Sequence, residues 1–273
     1  MASSDLVTYA REGDVALIGL NRPAKRNAMN DATILAIEDA VSRAHAEAKV
    51  GLIFGHGAHF SSGLDLAEHA GRSPVEGMHG SMLWHAVFDR IDRGSIPFVS
   101  ALHGAVIGGG LELAAATHIR VADATAFFAL PEGKRGIFVG GGGAVRIARL
   151  MGVARMTDLM LTGRVVPAVE AEAYNLAQYF VPSGAAQAKA MAIARQIAEN
   201  APLSNFAVIN ALPRIQHMSQ DDGLFVESIV TALTQTSPEA RRRMEDFLEK
   251  RSKPITTETI TTETIKPVEH KRR

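Results

Sequence analysis

The chain has 273 residues, and its 29 basic and 29 acidic side chains give a formal net charge of zero. This balance provides no general reason to expect binding to nucleic acid or to an anionic membrane. The absence of cysteine excludes disulfides, thiolate metal ligands and a thiol nucleophile. Because no signal peptide and no apolar run of about 18 residues is evident, we expect a cytoplasmic protein.

The first part of the chain predicts a β-hairpin, a helix and a buried strand. Residues 6–10 and 15–20 are rich in β-branched and apolar residues and flank a short turn, which is typical of a hairpin. Asn30 or Asp31 is a good cap for a helix of about 18 residues with an apolar inner face. Residues 50–55, VGLIFG, follow as a short buried strand.

A polar loop at residues 21–30 carries three basic side chains, namely Arg22, Lys25 and Arg26. Basic side chains clustered in a loop are usually just exposed to solvent, without a binding function. Its functional interpretation is a clamp on phosphate groups, a role that suits Lys and Arg.

A second loop, residues 56–70, combines small and polar residues after a strand. Gly63 permits a turn there, and the N–H group of Leu64 can then point into a cavity. His56 and His59 could be read as a metal pair, but no third ligand follows at a recognisable spacing. We therefore expect no metal site.

Residues 103–116, HGAVIGGGLELAAA, connect a buried strand at 97–102 to a helix. The glycines from Gly108 to Gly110 allow close approach to the backbone, and the new helix begins with unpaired N–H groups. Burial of Glu112 among leucines is expected to raise its pKa. This pattern indicates acid–base chemistry on a carbonyl compound. A tight turn before a glutamate that the helix dipole favours would explain it equally well.

Three further regions complete the first two thirds of the chain. Residues 76–93 have helical spacing, and Met78 and Met82 either belong to the core or line an adaptable apolar tunnel. Residues 118–130 predict two short strands. Glu132 follows on a loop, where a glutamate is usually just exposed.

The remainder of the chain is mainly helical. A glycine run at 140–143 opens a helix, and 162–182 predict a turn, a short helix and a short strand. Four further helices are predicted, at 185–200, 203–217, 221–235 and 238–250. Their apolar faces suit packing on a partner subunit. The last residues contain a five-residue repeat, ITTET, and predict a disordered tail.

Four segments, taken together and in order, resemble the crotonase family, also called the enoyl-CoA hydratase/isomerase superfamily. They are LNRPAKRNAMN, HFSSGLDL, GAVIGGGLELA and LPEGKRGIFVGGGGAVRIARLMG followed by TGR. The resemblance implies an α/β fold, a crotonase-like spiral of ββα units with a C-terminal helical region. Residues 1–184 would form the spiral core, 185–253 the helical oligomerisation region and 254–273 the disordered tail. It also implies homotrimers, or hexamers formed by two trimers.

The resemblance further implies an oxyanion hole formed by the backbone N–H groups of Leu64 and Gly109. Glu112 and Glu132 match the two glutamates of the hydratases. Since both are present, hydration of a 2-enoyl-CoA thioester is favoured, with Glu132 as the acid and Glu112 as the main base. No cofactor is expected beyond the coenzyme A of the substrate. The residues predicted to bind substrate are Lys25, Arg26, Ser62, Gly63, Asp65, Leu66, Gly108 and Met82.

Several alternatives remain open at this point. An enoyl-CoA isomerase of the same fold needs only one carboxylate, and a lyase could hydrate an aromatic acyl-CoA before cleaving it. An alternative that is not an enzyme is a scaffold or RNA-binding protein, and the zero net charge disfavours this function. Residues 136–140 and the pair Thr117-His118 depart from the family's usual pattern, so the identity of the acyl group stays open.

Overall fold

The structure is a computed structural model, and it describes residues 6–69, 71–249 and 251. The strands are β1 (Val7–Glu12), β2 (Val15–Leu20), β3 (Val50–Gly55), β4 (Phe98–Leu102), β5 (Ala105–Ile107), β6 (Ile119–Asp123), β7 (Phe127–Ala129), β8 (Val166–Pro167) and β9 (Tyr179–Val181). The helices are α1 (Asp31–Glu47), α2 (Leu66–His69), α3 (Pro74–Asp92), α4 (Gly109–Ala116), α5 (Gly143–Met151), α6 (Val153–Thr162), α7 (Ala168–Ala173), α8 (Ala186–Ala198), α9 (Pro202–Asn210), α10 (Leu212–Ile215), α11 (Gln220–Gln235) and α12 (Pro238–Leu248). The predicted tail at 254–273 lies outside the described residues.

The larger sheet has six strands in the order β1-β2-β3-β4-β6-β9. The predicted hairpin is confirmed, because β1 and β2 pair antiparallel with Val7 opposite Leu20. The other neighbouring strands pair parallel, and the helices cross between them. The first crossover is the predicted helix α1, whose N-cap Asn30 accepts a hydrogen bond from the Thr33 amide. These pairings agree with the predicted α/β class.

Both faces of this sheet are covered, which explains why every residue of β3 is buried. On one face Ile53 packs in a core with Ile37 of α1. On the other face Leu52 belongs to a second core, which includes Ile193 of α8. The sheet is therefore packed between two cores.

A smaller sheet, in the order β5-β7-β8, carries the loops of the candidate site. Single parallel bridges extend it, joining Ser61 to Val106 and Met29 to Leu64. The strand β5 was not predicted, because three residues are too few to show a periodic pattern. It separates the loop after β4 from the glycines that begin α4.

The predicted helix at 203–217 is divided into α9 and α10. Pro213 lies in the first turn of α10, where its missing N–H group is tolerated. A proline inside one continuous helix would instead remove a hydrogen bond from the middle of the helix. The proline thus explains why the chain begins a new helix here.

Contacts divide the described part of the chain into two units, with the division between residues 227 and 228. This division differs from the predicted boundary at 184/185, because α8 packs on the larger sheet. Ala190 and Ala194 of α8 are fully buried in the same core as Val99 and Val121. Within the described residues, no helix is both long and apolar enough to cross a membrane.

Candidate active site

The loop that precedes α2 is fixed against the basic loop at residues 21–30. The Met29 amide donates to the carbonyl oxygen of Gly63, and the Asp65 amide donates to that of Met29, each at 2.8 Å. Gly63 has φ +88°, a conformation that residues with a side chain rarely adopt. The amide of Leu64 is therefore held between two anchored neighbours.

The amide of Gly109, the first residue of α4, lies beside this loop. A Cβ atom at Gly63 would be 3.0 Å from the Gly109 nitrogen, and a Cβ atom at Gly109 would be 3.5 Å from the Leu64 nitrogen. Neither amide donates a hydrogen bond to another group of the described chain. The predicted pair of N–H groups is thus found as two adjacent, unpaired donors.

Glu112, one turn into α4, is only 3% exposed. Its Oε1 atom accepts hydrogen bonds from the amides of Gly141 and Gly143, both at 2.8 Å. Burial raises the pKa of this carboxyl, while the hydrogen bonds from Gly143 and Gly141 act in the opposite direction. The two amides favour the ionised form, since they can only donate.

The glycine loop at 140–143 is itself held from both sides. The Ser81 hydroxyl of α3 donates to the carbonyl oxygen of Gly140 at 2.6 Å. Arg146 donates to the carbonyl oxygen of Gly141, and it also pairs with Asp92 at 3.0 Å and with Asp89. These contacts fix the loop amides that orient the Glu112 carboxylate.

Glu132 begins a short 3-10 turn, Glu132–Arg135, directly after Pro131. The side chain is 6% exposed, so the interpretation of an exposed loop glutamate is wrong. Its Oε2 atom is buried without a hydrogen-bond partner in the described chain. Burial raises the pKa of Glu132 to about 7, and the nearby Glu112 carboxylate also raises it. Glu132 is consequently suited to hold a proton near neutral pH.

A cavity of about 420 Å³ brings these groups together. All four predicted catalytic residues, Leu64, Gly109, Glu112 and Glu132, are in its lining. The rest of the wall consists of Arg72, Gly77, Gly80, Ser81, Trp84, Ile137, Phe138, Val139, Gly140 and Gly141. Of these, only the residues within 136–140 were connected with the acyl group from the sequence. Two glycines three residues apart inside a predicted helix were a signal for this wall, because glycine is unfavourable there without a packing or functional reason.

The sequence pattern of the enoyl-CoA hydratase/isomerase family matches residues 10–257. The chain belongs to this family. The resemblance inferred from four segments is therefore confirmed, and so is the prediction of a hydratase-like enzyme.

Individual relatives agree with the family match. An enoyl-CoA hydratase of Mycobacterium tuberculosis is 29% identical over 89% of this chain and 93% of its own. A short-chain-enoyl-CoA hydratase of Clostridium acetobutylicum is 30% identical over 90% of this chain and 95% of its own.

Solved structures share the fold. A protein of Rhodopseudomonas palustris described as a candidate enoyl-CoA hydratase has a TM-score of 0.88 and 49% identity, covering 90% of this chain and 95% of its own. An enoyl-CoA hydratase of Bacillus anthracis has a TM-score of 0.85 and 28% identity over 90% and 96% of the two chains. The predicted crotonase-like fold is thus confirmed.

The residues predicted to bind substrate do not line the cavity of this family member. Gly63 and Gly108 adjoin it through their backbone: a Cβ atom at Gly108 would lie 2.6 Å from Oε1 of Glu132. Met82 is 57% exposed, and neighbouring residues of α3 line the cavity in its place. Leu66 is 40% exposed on α2. For Met82, the helical stripe alone did not identify the side that faces the cavity.

The basic loop has a more specific role than the sequence indicated. Asp65 is buried and pairs with Arg22 and Lys25, both at 3.0 Å. The hydrogen bond from Lys25 is the main cause that lowers the pKa of Asp65. Arg26 is exposed in a left-handed backbone conformation, and the Ser62 amide donates to its carbonyl oxygen. Lys25 stays 53% exposed although it pairs with Asp65, and Arg26 is exposed as well, whereas the Arg22 side chain is only 13% exposed in its ion pair.

The histidines of the second loop have protein partners. His56 contacts the Thr8 hydroxyl at 2.8 Å, and Nδ1 of His59 accepts a hydrogen bond from the Ala105 amide at 3.1 Å. These bonds connect the loop to its neighbours, so a structural role accounts for both rings.

Proposed function

We propose that the protein adds water across the C2–C3 double bond of 2-enoyl-CoA thioesters. The observation that supports this proposal is the cavity that contains two unpaired amides and two carboxyl groups. Isomerisation needs only one carboxylate to move a proton, whereas hydration uses a base for water and an acid for carbon. The presence of both Glu112 and Glu132 therefore favours the hydratase over the isomerase.

In this proposal the amides of Leu64 and Gly109 donate to the thioester oxygen. As the water oxygen bonds to C3, the π electrons of the double bond shift towards the thioester and leave negative charge on that oxygen. A preorganised donor at such a position stabilises the transition state by roughly 3 kcal/mol. Because neither amide has an acceptor among the described residues, no existing hydrogen bond needs to be broken first.

Glu112 would take the proton that the attacking water loses, and Glu132 would supply the proton that C2 gains. The two backbone donors to Glu112 favour its ionised form, which a base requires. The Oε2 atom of Glu132 is desolvated and has no donor in the part of the chain that the structure describes, which favours the protonated form that an acid requires. Transfer of the proton from Glu112 back to Glu132 then restores the starting state.

The coenzyme A part of the substrate is proposed to bind at the basic loop. Lys25 and Arg26 are exposed there, next to the backbone of Ser62, and both carry charges suited to phosphate. Asp65 fixes Lys25 without removing it from solvent, since the Lys25 side chain is 53% exposed.

We also propose that the chain forms a trimer or a hexamer. The support is the apolar surface that the C-terminal helices expose. Leu224 and Phe225 of α11 are 54% and 68% exposed, and Phe247 and Leu248 of α12 are 66% and 77% exposed. Exposed patches of this kind mark protein interaction surfaces in soluble proteins. Light scattering at micromolar concentration tests this proposal, and a monomer would contradict it.

The catalytic proposal is tested with a panel of 2-enoyl-CoA substrates of increasing chain length. Hydration removes the conjugated thioester, so its ultraviolet absorbance should fall as the 3-hydroxyacyl-CoA accumulates. An isomerase would instead gain this absorbance from a 3-enoyl-CoA and leave 2-enoyl-CoA unchanged. The second pattern would replace the hydratase proposal by its alternative.

A further inference from the structure

One end of the candidate cavity is widened by glycines of α3. Gly77 and Gly80 line it together with Ser81 and Trp84. Glycine inside a helix costs about 1 kcal/mol relative to alanine. A Cβ atom at Gly77 would meet no atom within 4 Å, so the missing side chain leaves open space there.

A single basic side chain reaches this widened end. Arg72 is the one cation in the cavity lining of the described chain. A Cβ atom at Gly80 would lie 2.6 Å from Nη1 of Arg72, so even an alanine would displace the guanidinium. Gly80 therefore makes room for the charge.

Most donors of this guanidinium are not used by the protein. Nη2 of Arg72 donates to Asp31 at 2.8 Å, which orients the group. Nη1 has no protein acceptor in the described chain, although a guanidinium has five N–H donors. The side chain is 25% exposed, so its charge is only partly screened by water.

The Arg72 guanidinium is separated from the proposed reaction centre by a distance along the axis of α3. The Trp84 ring marks that centre, since a Cβ atom at Gly109 would be 2.6 Å from it. Gly80 and Gly77 precede Trp84 by one and two helical turns, which is about 6 and 10 Å along the axis. An acyl chain that extends a few carbons past the double bond spans this distance.

We propose that Arg72 selects 2-enoyl-CoA substrates whose acyl chain ends in a carboxylate. This inference rests on the proposed function of the cavity. The Glu112 carboxylate repels an anion at the reaction centre, and a buried carboxylate without a partner is costly. Arginine binds carboxylates through paired N–H donors, so the terminal group pairs with Nη1 while Asp31 keeps the guanidinium in place.

The test compares two unreactive ligands of equal length, hexanoyl-CoA and adipoyl-CoA, by isothermal titration calorimetry. The wild type should bind adipoyl-CoA about tenfold more tightly or better, as one charge-assisted hydrogen bond provides. Arg72→Met should remove this preference and leave hexanoyl-CoA binding within about twofold, since it keeps the length of the stem. Arg149→Met is the matched control, because Arg149 is exposed and does not line this cavity.

Each outcome has a defined meaning. Equal affinities in the wild type would overturn the proposal. An equal loss for both ligands in Arg72→Met would overturn it as well, because Arg72 would then hold the coenzyme A or the local structure. The hydratase proposal is assayed separately with the corresponding 2-enoyl-CoA substrates. A preference for adipoyl-CoA without hydration would contradict the proposed function but not the selectivity of Arg72.

Discussion

Two cavities of the molecule differ in how their polar groups are used. The larger, of about 590 Å³, lies beyond the C-terminal end of α4 and is lined by five arginines. The smaller, of about 420 Å³, contains Glu112 and Glu132 and, among the described residues, one arginine. By size and charge, the larger cavity is the more conspicuous binding site.

The polar groups of the larger cavity are mostly satisfied by the protein. Arg120 is 2% exposed and donates to the carbonyl oxygens of Leu176 and Thr117. Burial lowers the pKa of Arg120 to about 10, which leaves it charged at neutral pH. Arg146 pairs with Asp89 and Asp92.

Among the described residues, the smaller cavity contains three polar groups without a hydrogen-bond partner, namely the amides of Leu64 and Gly109 and the Oε2 atom of Glu132. Buried polar groups normally have partners, so exceptions call for an explanation. Unpaired buried groups therefore indicate the candidate chemistry here better than cavity volume or charge does.

The largest effect is expected from Glu112→Gln. The amide oxygen can still accept hydrogen bonds from Gly141 and Gly143, so the fold should be retained while the base is lost. The turnover number for a 2-enoyl-CoA should fall by at least about 10². The exposed Glu172→Gln is the control and should keep the wild-type rate. Near-normal hydration by Glu112→Gln would remove the two-carboxylate mechanism.

A similar loss is expected when the amide pair is disturbed. Gly109→Val adds a branched side chain whose Cβ atom would clash with Trp84 and lie 3.5 Å from the Leu64 nitrogen. The rate should fall by about 10²–10³, the typical effect of losing an oxyanion donor. Leu64→Ala keeps the backbone amide and should retain much activity. Circular dichroism of both variants distinguishes the loss of the site from unfolding, and a fully active Gly109→Val would place the thioester oxygen elsewhere.

Substitutions in the larger cavity should affect stability and leave catalysis unchanged. Arg120→Leu leaves the carbonyl oxygens of Leu176 and Thr117 buried without donors, at a cost of about 1–3 kcal/mol each. Its melting temperature should fall, while the turnover number of the folded fraction stays the same. Arg149→Met, at the exposed rim of the larger cavity, should change neither the melting temperature nor the turnover number. A folded Arg149→Met enzyme with reduced turnover would contradict the division between the cavities.

The smallest effect concerns the stability of Glu132→Gln at different pH values. The folded-state pKa of Glu132, about 7, lies above the ordinary value of 4.5, so the folded protein binds the proton more tightly. Proton binding by Glu132 therefore stabilises the folded state fully below pH 4.5, and this stabilisation is lost as the pH rises through about 7. In Glu132→Gln the side chain is neutral at every pH, so the variant does not lose stability in this way as the pH rises. The melting temperature of the variant relative to the wild type should therefore increase between pH 5 and pH 8, and a constant difference would contradict the raised pKa.

Much of the fold could be predicted from local patterns. The hairpin, helix α1 and the buried strand β3 follow from their apolar spacing and the Asn30 cap. The strand β5 could not be predicted, because its three residues gain stability only by pairing with β7. The split between α9 and α10 depends on Pro213, which lies in the first turn of α10 and which apolar spacing alone does not take into account.

The candidate site was predictable where the chemistry lies in a short motif. Glu112 and the glycines before it stand next to one another in the sequence. The burial of Glu132 was not predictable from its own loop, since neighbouring segments provide it. Arg72 and the face of α3 were missed for the same reason: a helical pattern shows which side is apolar but not which cavity it borders.

In the proposed reaction Glu132 supplies a proton while the Glu112 carboxylate accepts one. The pH dependence of kcat/KM for 2-butenoyl-CoA tests this assignment, with the wild type and Glu132→Gln measured side by side. The wild-type value should fall about tenfold per pH unit above a midpoint near 7, as the acid loses its proton. Glu132→Gln should be at least about 10² slower and should lack this decrease. The same alkaline decrease in Glu132→Gln, or a wild-type rate that stays constant up to pH 9, would contradict the account.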